Sequence, residues 1–154
     1  MTDRRDPEHR TTRVLRGLLL AVLLYGILGM LAELYLLEHY EEWWQLVPLL
    51  LLAFAVPVIG LGWARPSPAA LRALQGLMLV FVMAGALGVY QHYSGNAEFE
   101  LEMYPSRAGF ELFWESLKGA TPALAPASLS WLGLIGLAYC YRHPALRSGR
   151  EGAR

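Results

Sequence analysis

Long uncharged runs alternate with short charged stretches along this chain, and each run has roughly the length needed to cross a bilayer. Gly17 to Ala32 carries no charge, and beyond Glu33 the apolar run resumes through Leu37, so a first helical span is predicted over about 14–37. Similar runs predict spans over about 44–64, 71–93 and 122–141. Each is close to the ~20 residues that cover a hydrocarbon core about 30 Å thick. Pro48 falls in the first turn of the second span, where its missing N–H costs little, whereas Pro57 is interior and is expected to bend the helix. Trp43, Trp44 and Trp63 flank that span as interfacial indoles do. The pattern predicts an all-α, polytopic membrane protein with four transmembrane helices.

The one long connection, residues 94–120, follows a different pattern. Glu98 to Met103 alternates acidic and apolar side chains, which predicts a short strand-like stretch with three carboxylates on one side. From Ala108 to Leu117 the period becomes helical: Phe110, Phe113, Trp114 and Leu117 share one side, and Glu111, Glu115 and Lys118 the other. An amphipathic helix of this kind suits the membrane interface or a cap on the bundle.

Composition strengthens the membrane reading, since 55% of residues are hydrophobic and the mean hydropathy is +0.33. The formal net charge is zero, but the charges are segregated. Of the 13 basic residues, Arg4, Arg5, Arg10, Arg13, Arg16, Arg65, Arg72, Arg142, Arg147, Arg150 and Arg154 fall on one side of the four-span topology. Only Arg107 and Lys118 fall on the other, where Glu38, Glu41, Glu42, Glu98, Glu100, Glu102, Glu111 and Glu115 collect. Basic residues in short loops favour the cytoplasm, so both termini, 1–13 and 142–154, are expected to be cytoplasmic basic tails. The run from Gly17, followed by Glu33-Leu34-Tyr35-Leu36, lacks a small-residue cleavage pattern and reads as a signal anchor. The preference for Arg over Lys suggests a GC-rich genome and hence a bacterial inner membrane.

Candidate chemistry concentrates on the acidic side. Gly26 and Gly29 lie within about 40° of Glu33 on a helical wheel, and Gly85 and Gly88 stand in a similar relation to His92. Small residues mark faces where membrane helices approach closely, so Glu33 is expected to point into the bundle, at a depth that permits contact with His92. An intramembrane carboxylate is a functional candidate by default. With His39 and Glu42 nearby, Glu33 and His92 form a possible ligand set for a divalent transition metal, or a proton-binding group. No recognised metal spacing is present, and interhelical hydrogen bonding between Glu33 and His92 is the plainer reading. Cys140, the single cysteine, excludes paired-thiol chemistry and reads as a small packing residue.

No P-loop, zinc-protease pair, serine elbow or nucleic-acid signature appears, and no nucleophile supports an enzymatic reading. A membrane enzyme using the same cluster on a lipid-like substrate stays open as a third function without a recognisable nucleophile, behind two others. The first is a non-enzymatic subunit, scaffold or assembly partner that meets another membrane protein, or a second copy of itself, through its acidic face. The second is a sensor or carrier using the Glu/His cluster. The scarcity of polar groups in the inner halves of the spans, Gln75 apart, argues against a transport path.

Overall fold

Ser67 opens the third and longest helix by accepting a hydrogen bond from the Ala70 N–H, with Pro68 in the first helical position, where it lacks only a donor that would go unused. The computed structural model describes residues 7–146, and among these it is all-helical: α1 (Pro7–Leu36), α2 (Trp43–Ala64), α3 (Pro68–Met103), α4 (Gly109–Lys118) and α5 (Ala127–Cys140). Arg4, Arg5, Arg147, Arg150 and Arg154 of the two expected basic tails lie outside the described residues.

α1, α2, α3 and α5 form a ring in which α1 packs on α2 and α5, and α3 on α2 and α5; α4 lies chiefly against α3. The buried positions recur at spacings of three and four: Leu20, Leu23 and Ile27; Leu52, Ala55 and Ile59; Leu71, Leu74, Met78 and Phe81. This places one stripe of each helix at the centre and leaves Leu and Val on the outer faces as well. That is the distribution expected where lipid surrounds the bundle and helix association depends on close packing. The closest approach is between α3 and α5. A Cβ on Gly133 would stand 2.6 Å from the Met78 carbonyl oxygen, and one on Gly85 would stand 2.6 Å from the Ser130 backbone nitrogen. The Ser130 hydroxyl donates to the Val82 carbonyl oxygen at 2.9 Å across the same contact.

Three helices, α1, α2 and α3, are long and apolar enough to cross a membrane. α5 has 14 residues, about 21 Å at 1.5 Å per residue, and is shorter than the ~20 residues of a full span. The turns at 122–126, closed by Ala125 N–H to Pro122 and Ala127 N–H to Leu124, precede it. α2 runs through Pro57 as one continuous helix.

Two expectations need correction. Glu98 to Met103 is not strand-like but the last part of α3, which extends ten residues beyond the expected end at Tyr93. An isolated extended stretch would have no partner for its backbone groups, whereas Glu, Leu and Met are good helix formers that keep those bonds internal. At 36 residues, α3 is about 54 Å long, well beyond the thickness of the hydrocarbon core.

Glu33, expected to face the bundle interior, is exposed. The inward ridge of α1 runs through Leu20, Leu23, Ile27, Met30 and Leu34, and Glu33 lies roughly 100° round from it. Gly29, which shares its side, has nothing within 4 Å of the position a Cβ would take. In α1 the aliphatic residues mark the packing face along its length, and of the two glycines near Glu33 only Gly26 meets a neighbour, a Cβ there standing 2.5 Å from the Leu132 side chain.

Candidate functional site

At the end of the bundle where α1 turns into α2, an open cleft of about 480 Å³ lies between that turn, α3 and the connection from α4 to α5. Its wall includes His39, Glu42, Gln45, His92, Asn96 and Thr121.

His39 reaches the cleft because of how α1 ends. The His39 N–H bonds the Leu34 carbonyl at 2.9 Å and the Glu38 N–H bonds the Tyr35 carbonyl at 3.1 Å, the paired bonds of a Schellman cap. Such a cap needs a left-handed residue at its penultimate position, and Glu38 supplies it with φ 54°. A turn in this form directs the chain back across the end of the bundle, so His39 projects toward α3. α2 then begins at Trp43 after Glu42, whose backbone N–H bonds the Gln45 side-chain oxygen at 3.0 Å.

His92 faces His39 with ring centroids 6.5 Å apart. Its Nδ1 lies 3.2 Å from the Pro122 carbonyl oxygen; donation there places the proton on Nδ1 and leaves Nε2 as an acceptor. Partial burial, followed by the charge of His92, lowers the pKa of His39 below its ordinary 6.5.

The four residues named as a ligand set are therefore divided. His39, His92 and Glu42 line one cleft, and Glu33 does not. Among the described residues, no group of three or more His, Cys, Asp or Glu side chains is close enough to hold a metal ion together. The partner of His92 is an imidazole on the α1–α2 turn, not the carboxylate of Glu33.

The sequence reading missed Asn96. It is 4% exposed and uses its whole hydrogen-bonding capacity. Nδ2 donates to the Ser116 carbonyl at 2.9 Å and to the Thr121 carbonyl at 2.7 Å, while Oδ1 accepts from the Thr121 N–H at 3.2 Å and the Thr121 hydroxyl at 2.7 Å. Gly119 allows this, since a Cβ there would lie 2.5 Å from the Asn96 side chain. One amide thus fastens α4 and the α4–α5 connection to α3. An isolated Asn between apolar and acidic residues was the available cue. Farther out, Arg107 pairs with Glu100 and with Glu111, and stands 4.2 Å over the Tyr104 ring. Lys118 pairs with Glu115 at 2.7 Å. Glu98 and Glu102, one helical turn apart and exposed, form no ion pair among the described residues.

Comparison with protein-family models, with curated proteins and with solved structures finds no match to this chain.

Proposed function

We propose that the protein is a small, non-enzymatic membrane subunit or assembly partner that presents an acidic helical headpiece, the outer part of α3 with α4, to a basic segment of another membrane protein. The observation that supports this most directly is the four-bond seat of Asn96, which holds the headpiece in one position while Glu98 and Glu102 stay unpaired beside exposed Phe99 and Met103. Fixed, unpaired charge next to apolar surface suits recognition more than solubility alone.

In this reading α5 and the turns before it make a fourth crossing. Arg16 Nη2 donates to the carbonyls of Tyr141 at 3.3 Å and Arg142 at 3.2 Å, and His92 meets Pro122, so segment 122–141 runs between the levels of Arg16 and His92. Those two levels lie at opposite ends of the apolar stretches of α1 and α3. Both termini then face the cytoplasm of a bacterial cell, and the headpiece lies outside.

One experiment tests placement and partner together. With Cys140 replaced by alanine, a cysteine at Glu102 is expected to react with a membrane-impermeant maleimide in intact cells, while one at Arg13 reacts only after lysis. A heterobifunctional cross-linker on the outer cysteine is expected to give a discrete adduct that disappears in Glu98→Lys. Labelling at Arg13 in intact cells would overturn the topology, and an adduct indifferent to Glu98→Lys would overturn the docking face.

The facing imidazoles favour a second reading, a proton-responsive cleft at His39 and His92, over a metal centre that would need a third ligand grouped with them. A folded-state pKa below 6.5 means that the unfolded chain binds the extra proton first as the solution is acidified. Stability is therefore unaffected above the ordinary histidine value and falls as pH drops through the window beneath it. Thermal melts of the purified protein across that range are expected to show this acid loss, and His39→Gln to reduce it, the remainder coming from His143, whose pKa is also lowered by burial and then by the charge of Arg16. An equal slope in both proteins removes the reading.

A further inference from the structure

α4 is anchored on α3 by a side other than its aromatic stripe. That side carries Ser116 and leads to Gly119, with Ser116 wholly buried and its carbonyl held by Asn96. The stripe of Phe110, Phe113, Trp114 and Leu117 lies roughly 130° round the helix from that side. Phe110 is 76% exposed, with its ring stacked 6.3 Å from that of Trp114. Phe113 and Leu117, lower on the same stripe, overhang α3 and form with it a groove of about 370 Å³ lined by Ala86, Val89, Tyr90 and Tyr93. Tyr93 closes one end, its ring 5.8 Å from that of Phe113.

The floor of this groove continues a surface that faces lipid. Leu79, Met83, Leu87 and Tyr90 are all exposed and, at spacings of four, four and three, follow one side of α3 along its membrane-crossing stretch. Tyr90 and Tyr93 lie 18 and 21 residues beyond Arg72, about 27 and 32 Å along the axis, which is the far boundary of a hydrocarbon core about 30 Å thick. The groove therefore opens where the carbonyl-proximal part of an acyl chain resides. Its volume falls within the ~300–1,000 Å³ of ordinary ligand sites, and its lining is apolar except for the tyrosine hydroxyls.

We infer that the groove between α3 and α4 is a seat for one phospholipid acyl chain of the outer leaflet, which follows the Leu79–Tyr90 stripe and enters beneath Phe113 and Leu117. Recognition is by shape and apolar contact along the chain. The inference rests on α3 crossing the membrane, and its assignment to the outer leaflet on the orientation proposed above; it is independent of any protein partner.

The full chain in phosphatidylcholine vesicles, doped with a phosphatidylcholine carrying a diazirine near the carbonyl end of one acyl chain, provides the test. After irradiation, adducts are expected on Phe113 and Leu117 well above those on Phe110 and Trp114. They should fall several-fold in Val89→Trp, whose indole fills the groove, while adducts on Tyr35, exposed on α1 at a similar depth, stay constant. If Val89→Trp also changes the labelling of Tyr35, Ala86→Phe fills the groove from its lower end and repeats the comparison. Labelling of Phe113 and Leu117 no higher than that of Tyr35 means that α4 merely lies at the interface and overturns the seat. So does labelling of Phe113 that neither filling substitution lowers.

Discussion

Gly85→Leu is expected to detach α5 from α3 and to give the largest loss of stability of any single change in the bundle. A Cβ at this position would meet two backbone atoms of the neighbouring segment, the Ser130 nitrogen at 2.6 Å and the Pro126 carbonyl oxygen at 2.9 Å. Backbone cannot turn aside as a side chain can, so the helices must separate. Separation breaks the 2.9 Å bond from the Ser130 hydroxyl to the Val82 carbonyl and the close contact of Gly133 with Met78. Overpacking costs about 1–3 kcal/mol, and an interhelical hydrogen bond in a membrane about 0.6 kcal/mol, so a combined loss of roughly 2–4 kcal/mol is expected. Gly76→Leu on the same helix is the control, because nothing lies within 4 Å of its Cβ position. Denaturation of the purified protein by increasing dodecyl sulfate should separate the two variants clearly. Equal midpoints would show that α3 and α5 are not held by this contact.

The contrast between Gly85 and Gly29 also explains which parts of the molecule were legible in the sequence. The three helices long and apolar enough to cross a membrane were, because a hydrocarbon solvent demands long uncharged runs, whereas the fourth such run yields a helix of only 14 residues. Which way each helix faces was harder to read. In water an apolar stripe identifies the buried side, but here Leu and Val occupy both sides, and small residues are the remaining cue. That cue serves α3 and α5, where Gly85, Gly88, Gly133 and Gly136 all meet neighbouring atoms closely, and it is divided in α1, where Gly26 meets Leu132 but Gly29 faces open space and Glu33 follows it outward.

The cleft was legible by composition and not by geometry. His39, Glu42 and His92 stood out as ionisable groups near one end, but the direction of His39 depends on the left-handed Glu38, a conformation that no periodicity reveals. Gly at that position is the usual choice. The strand-like reading of Glu98 to Met103 failed for a related reason. Alternation over six residues matches a strand template, but it carries no information about whether another strand is available to pair with it.

Asn96→Ala is expected to release the headpiece while leaving the bundle intact. The substitution removes both donors and the acceptor that Ser116 and Thr121 share with this one amide. Each bond contributes about 1 kcal/mol net and an orphaned buried partner costs about 1–3 kcal/mol, so a local loss of roughly 3 kcal/mol is expected once water reaches the exposed carbonyls. Asn96→Asp is the sharper variant. It keeps the size and the two acceptor bonds, but it turns an oxygen toward the Ser116 and Thr121 carbonyls in place of the amide nitrogen, so it should be at least as damaging as alanine if hydrogen bonding rather than volume holds the seat. Amide hydrogen exchange localises the effect: residues 109–121 should exchange much faster in both variants, and the membrane-crossing part of α3 should not. Uniform acceleration would mean that Asn96 supports the whole fold, and no acceleration that α4 is held by its other contacts. Because Thr121 and Asn96 also form part of the cleft wall, loss of the seat removes one side of the space into which His39 and His92 project. The acid response of the cleft and the outer cross-link from Glu102 should then weaken together, although neither His39 nor Glu98 has been touched.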